Sequence, residues 1–112
     1  MLDFKTEVYP EILNRLAQNK RYFTKTDNNP NHVIVQGDVV KVRTMKSSPD
    51  YLEVPYNTFE KTWQVLQEKG RVSQSDLSRV HNVKRSAFML IAFDLLDEIK
   101  YKELNNSITI KK

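Results

Sequence analysis

Gly70 to Lys112 constrains its own local structure more tightly than any other part of this chain. Val72, Ser73, Asp76 and Leu77 form a complete helix-start signal. The Ser73 hydroxyl is placed to accept from the backbone N–H three residues on, and the Asp76 carboxylate to reach back. Val72 and Leu77 are spaced to close over that turn as a hydrophobic staple. A short helix is expected from about Gln74 to Val80, with Leu77 and Val80 on one face. His81-Asn82 then makes a turn, because asparagine tolerates left-handed backbone angles and caps helices well. Asn82 is expected to cap a second helix that runs through Lys84, Arg85, Ser86, Ala87 and Phe88 to about Asp97. On it Phe88, Ile91, Ala92, Leu95 and Ile99 recur at i, i+3, i+4, i+7 and i+11, a stripe suited to packing on a core.

The tail changes period. Ile99 to Lys102 and Ser107 to Ile110 alternate apolar, largely β-branched residues with polar ones on either side of Asn105-Asn106, which is the pattern of a β-hairpin. Upstream, Asn57 followed three residues later by Glu60 is a second capping signal, and Gly70 supplies the stop. Between them Phe59, Trp63 and Leu66 recur at i, i+4 and i+7. Trp63, the only tryptophan, is read as core rather than as a base-stacking platform. Val54-Pro55 through Leu96 is thus a trihelical unit.

The amino-terminal half is an extension of 1–53 before a unit spanning 54–112, and the chain is expected to be one domain at 112 residues. Pro10-Glu11-Ile12-Leu13 opens a helix whose apolar face, Ile12, Leu13 and Leu16, ends near Lys20-Arg21. Thr24 to Asn31 is polar and reads as a loop. Gly37-Asp38 is a two-residue hairpin turn. If Gln36 pairs with Val39, Val35 falls opposite Val40 and Val33 opposite Val42, so four valines share one face. His32, Ile34, Lys41 and Arg43 share the other. Met45 to Asp50 is a loop, and Tyr51 to Val54 adds a third strand.

Charge is distributed unevenly. The chain carries 18 Lys and Arg against 14 Asp and Glu, a net charge of +4. Lys69, Arg71, Arg79, Lys84 and Arg85 face only Asp76 within their window, which alone nets +4. Asp94, Asp97 and Glu98 lie at the far end of the second helix. Lys84, Arg85 and Ser86 would occupy its first turn, where cations oppose the helix dipole and an external phosphate would offset the cost. Such polarity is the footprint of a duplex binder.

No apolar run approaches the roughly 20 residues needed to span a bilayer, so no membrane partner is expected. Charges interrupt the amino terminus where a secretion signal would be apolar, and there are no cysteines. A cytoplasmic location is the expectation. Catalysis finds little support. His32 and His81 stand alone, which gives no metal site, and two glycines cannot build a phosphate loop. Pro49-Asp50 and Glu53 match the start of a nuclease-like acidic pattern, but Pro55 stands where its lysine belongs. No enzyme activity and no cofactor are expected.

From Val54 to Ile99 the chain resembles the winged helix-turn-helix superfamily. The residues that carry the likeness are Phe59, Trp63, Leu66 and Gly70, then Val72-Ser73 with Asp76-Leu77, then Arg85-Ser86-Ala87-Phe88. It is similar to the small winged-helix modules of restriction enzymes and other nucleic-acid-processing proteins. The resemblance implies an α+β fold, a three-helix core with a carboxy-terminal β-hairpin wing, here joined to an amino-terminal helix and β-hairpin outside the common pattern. It implies a non-catalytic DNA-binding protein, a small regulator of transcription whose partner is double-stranded DNA. Lys84, Arg85 and Ser86 would then enter the major groove beside Asn82 and the Ser73 turn, with Arg71, Arg79, Lys100 and Lys102 on phosphates. A second expectation is a protein-interaction or inhibitor module. Met89, Leu90 and Phe93 leave the second helix apolar nearly all round, so either the amino-terminal half or a second copy, as a homodimer, must cover it.

Overall fold

The computed structural model describes residues 3–25, 30–44, 50–103 and 105–110, and the Gly37-Asp38 turn organises its first half. Gly37 has φ +63°, the left-handed angle that a tight hairpin turn requires. It joins β2 (Pro30–Gln36) to β3 (Val39–Thr44), with Gln36 opposite Val39, Val35 opposite Val40 and Val33 opposite Val42, the expected register. Val33, Val40 and Val42 are buried and Val35 packs beside them. The expected third strand is β4 (Leu52–Val54), on the free edge of β3. On the other edge β1 (Arg21–Phe23) pairs with β2, completing an antiparallel sheet of order β1-β2-β3-β4.

The amino-terminal helix differs from expectation at both ends. A π-helical turn, Phe4–Val8, runs directly into α1 (Tyr9–Leu16), so the helical stretch begins ahead of Pro10. The Asp3 carboxylate starts it by accepting from the Thr6 N–H at 2.9 Å and the Thr6 hydroxyl at 2.7 Å, and these bonds hold its pKa below the usual value. α1 stops at Leu16 rather than near Lys20-Arg21, because the Tyr22 hydroxyl donates to the Arg15 and Leu16 carbonyls at 3.0 and 2.9 Å. A phenol from the neighbouring strand thus satisfies the orphan carbonyls. Pro30 and Asn31, expected in a loop, open β2, where a first-position proline costs no ladder bond. The rest of that loop, 26–29, and positions 45–49 of the next lie outside the described residues.

In the second half α2 (Tyr56–Lys69) ends at Gly70, whose φ of +75° terminates the helix as expected. Its start is corrected by two residues. Pro55, extended, holds the cap position, no side chain caps the helix, and Asn57 lies inside the first turn. Glu60 accepts instead from the Tyr56 hydroxyl at 3.2 Å. β5 (Arg71–Ser73), α3 (Gln74–Arg79), α4 (Ser86–Asp94), β6 (Ile99–Lys102) and β7 (Ser107–Ile110) follow, with a second antiparallel sheet of order β5-β7-β6.

Ser73 caps α3 as expected, accepting from the Asp76 N–H at 3.1 Å. Val80 does not share the buried face of Leu77: α3 ends at Arg79 and Val80 is 70% exposed. Asn82 takes the expected left-handed turn angle, φ +54°, yet does not cap α4. The Val83 N–H reaches back to the Leu77 carbonyl at 2.7 Å and its side chain is buried, so residues 82–85 are used in the connection and α4 starts only at Ser86. α4 also ends early, at Asp94, and Ile99 belongs to β6 rather than to the helical stripe. In the final hairpin Lys102 pairs with Ser107, so the connection is longer than the Asn105-Asn106 dipeptide alone.

Trp63 stacks on Phe93 with centroids 6.3 Å apart and planes 14° apart, and Met89, Leu90 and Phe93 have no exposed surface. The whole circumference of α4 is therefore covered from within one chain, by a core that draws on residues from Phe4 to Ile108. The fold is α+β, with four α-helices and two antiparallel sheets among the described residues, and its radius of gyration of 13.0 Å fits a folded chain of this length. Among the described residues no helix is long and apolar enough to cross a membrane.

Candidate nucleic-acid interface

The late start of α4 decides what the cationic side chains can do. Lys84 and Arg85 lie on a turn ahead of the helix, and Arg85 occupies the cap position with a left-handed φ of +59°. Ser86 is buried. α4 presents no polar face along its length, so it cannot lie in a groove as a reading helix does. The turn before it can approach a ligand, since Asn82 and Lys84 are exposed and Arg85 is half-buried.

Two clefts flank the His81-Asn82 turn. One, of about 440 Å³, brings Asn82, Lys84 and Arg85 together with Asn57, Thr58 and Lys61 of α2. Glu53, Pro55 and Val83 complete its wall. The other, of about 630 Å³, holds Arg71 and Ser73 with Lys69, His81 and Asp76. Arg79, Lys100 and Lys102 line neither cleft. Lys100 and Lys102 stand opposite Thr109 and Ser107 on β6, two residues apart and both exposed. The α2 contribution was missed in the sequence because that helix was read only for its apolar stripe. The signal was present, since Asn57 and Lys61 are one turn apart on a polar face.

Hydrogen bonds tie the β6–β7 hairpin to α3. The Tyr101 hydroxyl donates to Asn106 Oδ1 at 2.8 Å, and burial, with Glu103 and Asp94 nearby, pushes its pKa up. Asn106 Nδ2 donates to Gln74 Oε1 at 2.9 Å, and the Gln74 N–H donates to the Asn106 carbonyl at 3.0 Å. These bonds fix β6 and its lysines relative to the amino end of α3.

Acidic groups at the end of α4 are neutralised by the first half of the chain. Arg15 bridges Glu11 at 2.7 Å and Asp97 at 3.2 Å, and Lys25 pairs with Asp94 at 2.5 Å while lying over the Tyr101 ring. Among the described residues, none of Lys61, Arg71, Arg79, Lys84, Arg85, Lys100 and Lys102 is in an ion pair. Nor do any three His, Asp or Glu of the described residues gather as metal ligands would. No protein-family model, curated protein or solved structure matches this chain.

Proposed function

We infer that this chain is a non-catalytic protein that binds double-stranded DNA, a small regulator built on a winged helix-turn-helix. The observation that carries the reading is the uneven pairing of charge. Eight cations of the second half (Lys61, Lys69, Arg71, Arg79, Lys84, Arg85, Lys100 and Lys102) are in no ion pair among the described residues, against five carboxylates there that are also in none, while Asp94 and Asp97 are held by Lys25 and Arg15. Unpaired surface cations raise the local potential and draw phosphates. The order of α2, β5, α3, α4, β6 and β7, with β7 between β5 and β6, is the order of a winged helix-turn-helix and supports the reading.

Phosphates dominate in this reading. With Ser86 buried and α4 closed on all sides, base contacts fall to Asn82, Lys84 and Arg85 on the turn, and Arg71, Arg79, Lys100 and Lys102 serve the backbone. Affinity then depends more on salt than on sequence. A fluorescence titration with mixed-sequence duplex at several salt concentrations tests it. Neutralising about five phosphates gives a slope of roughly −4 to −5 in log K against log salt. A slope near zero removes the function. The motive for a protein partner or a second copy is weakened, because Met89 and Phe93 are covered within the chain.

A further inference from the structure

We propose that the cleft between the amino end of α2 and the Asn82–Arg85 turn is a phosphate-binding site, in which Lys61, Lys84 and Arg85 clamp one phosphate group of a nucleic acid. The identity of the ligand rests on the DNA-binding reading. The site itself adds an element, α2, that the helix-turn-helix reading leaves out.

Two separate parts of the chain deliver three cations to one concavity of about 440 Å³, against the single carboxylate of Glu53. Like charges gathered in this way repel one another, and more strongly where Pro55 and Val83 lower the local dielectric. An oxyanion seated among them reverses the sign of that interaction. Arg85 offers a planar fork and the two lysines offer point charges, a combination matched to the several oxygens of a phosphate. Asn57, Thr58 and Asn82 add neutral donors at the same wall. The start of α2 assists: this helix of 14 residues has no acidic residue in its first turn and no capping side chain, and although its Thr58 N–H donates to the Pro55 carbonyl at 3.0 Å, its positive end faces no carboxylate of its own turn. An internal phosphodiester and a terminal phosphomonoester share this chemistry.

The test uses the full chain and K61Q, which alters an exposed residue and leaves the turn untouched. Wild type and variant are titrated with inorganic phosphate, with a blunt duplex bearing 5′-hydroxyls, and with the same duplex 5′-phosphorylated. Amide NMR shifts of Asn57 and Lys61 report occupancy of the cleft, and circular dichroism confirms that the variant is folded. The expected result is that these amides shift and that K61Q lowers the salt slope by about one. An equal loss on both duplexes assigns an internal diester, and a loss confined to the phosphorylated one assigns a terminal group. If the duplex binds with a steep slope that K61Q leaves unchanged, and both amides stay still, the cleft proposal is overturned and the DNA-binding reading stands. If the duplex does not bind but inorganic phosphate shifts both amides in wild type and not in K61Q, the cleft stands and the DNA-binding reading falls. If no probe moves either amide, the site does not exist.

Discussion

Asn106 and Gln74 are joined twice, once through their side-chain amides at 2.9 Å and once from the Gln74 N–H to the Asn106 carbonyl at 3.0 Å. Asn106 is also left-handed, φ +46°, and its side-chain oxygen accepts from Tyr101. N106A removes both side-chain bonds and leaves an alanine at that angle. The expected cost is about 1–3 kcal/mol in urea denaturation. N106G keeps the angle accessible and loses only the bonds, so it should fall between wild type and N106A. Equal stability of N106A and wild type would show that the β6–β7 hairpin is not held by this residue.

The packing of α4 leads to a second expectation. Phe93 is fully buried and stacked on Trp63, and α4 touches α1, α3 and the second sheet around it. F93A should cost about 3–5 kcal/mol, because the cavity opens at the meeting point of both halves. Trp63 reports directly as the only tryptophan. Its emission should shift to the red in F93A even before unfolding, and a loss under about 1 kcal/mol would mean that the site collapses without penalty.

Where local rules and burial agreed, the sequence was readable. The β2–β3 register followed from Gly37 and the valine alternation together, since any slip would turn Val33, Val40 and Val42 to solvent. Ser73 and Gly70 were legible because a cap is a local bond and a left-handed stop a local angle. β1 and β5 were not: each has three residues, and the partner of Arg71–Ser73 lies at Ser107–Thr109, far along the chain. Asn57 misled because Pro55 already supplied the extended angle that begins the helix. At the candidate site, the cations were legible as a charge run, but their sorting into two clefts was not. That sorting depends on Val83 being drawn into the core, which delays α4 and lifts Lys84 and Arg85 onto a turn.

Alkaline pH should expose Tyr9. Its hydroxyl donates to the Asp38 carbonyl at 2.8 Å, and burial, then Asp38, Tyr56 and Glu53, push its pKa up to about 12. The folded state holds this proton more tightly than the unfolded chain, whose tyrosine titrates near 10. The stabilisation is therefore complete below pH 10 and is lost as pH rises toward 12, by at most roughly 2 kcal/mol. Y9F loses the hydrogen bond, at about 1 kcal/mol, but has no phenol to ionise. Wild type should be the more stable at neutral pH and Y9F the more stable at the alkaline limit. Parallel stability curves across that range would contradict the assignment.

Arg85 separates stability from binding. A non-glycine residue at φ +59° carries a backbone strain of about 1–2 kcal/mol, and nothing caps α4 to offset it. R85G relieves that strain, less the extra freedom glycine gains in the unfolded chain, for a net gain of up to about 1 kcal/mol. The same change removes a guanidinium from the cleft and should lower the salt slope of duplex binding by about one. R85A is the control, because it removes the same charge and keeps the strain. The two variants should therefore bind DNA equally weakly while R85G melts higher than R85A. If R85G binds as wild type does, the strained angle is an accident of the turn and Arg85 has no part in holding phosphate.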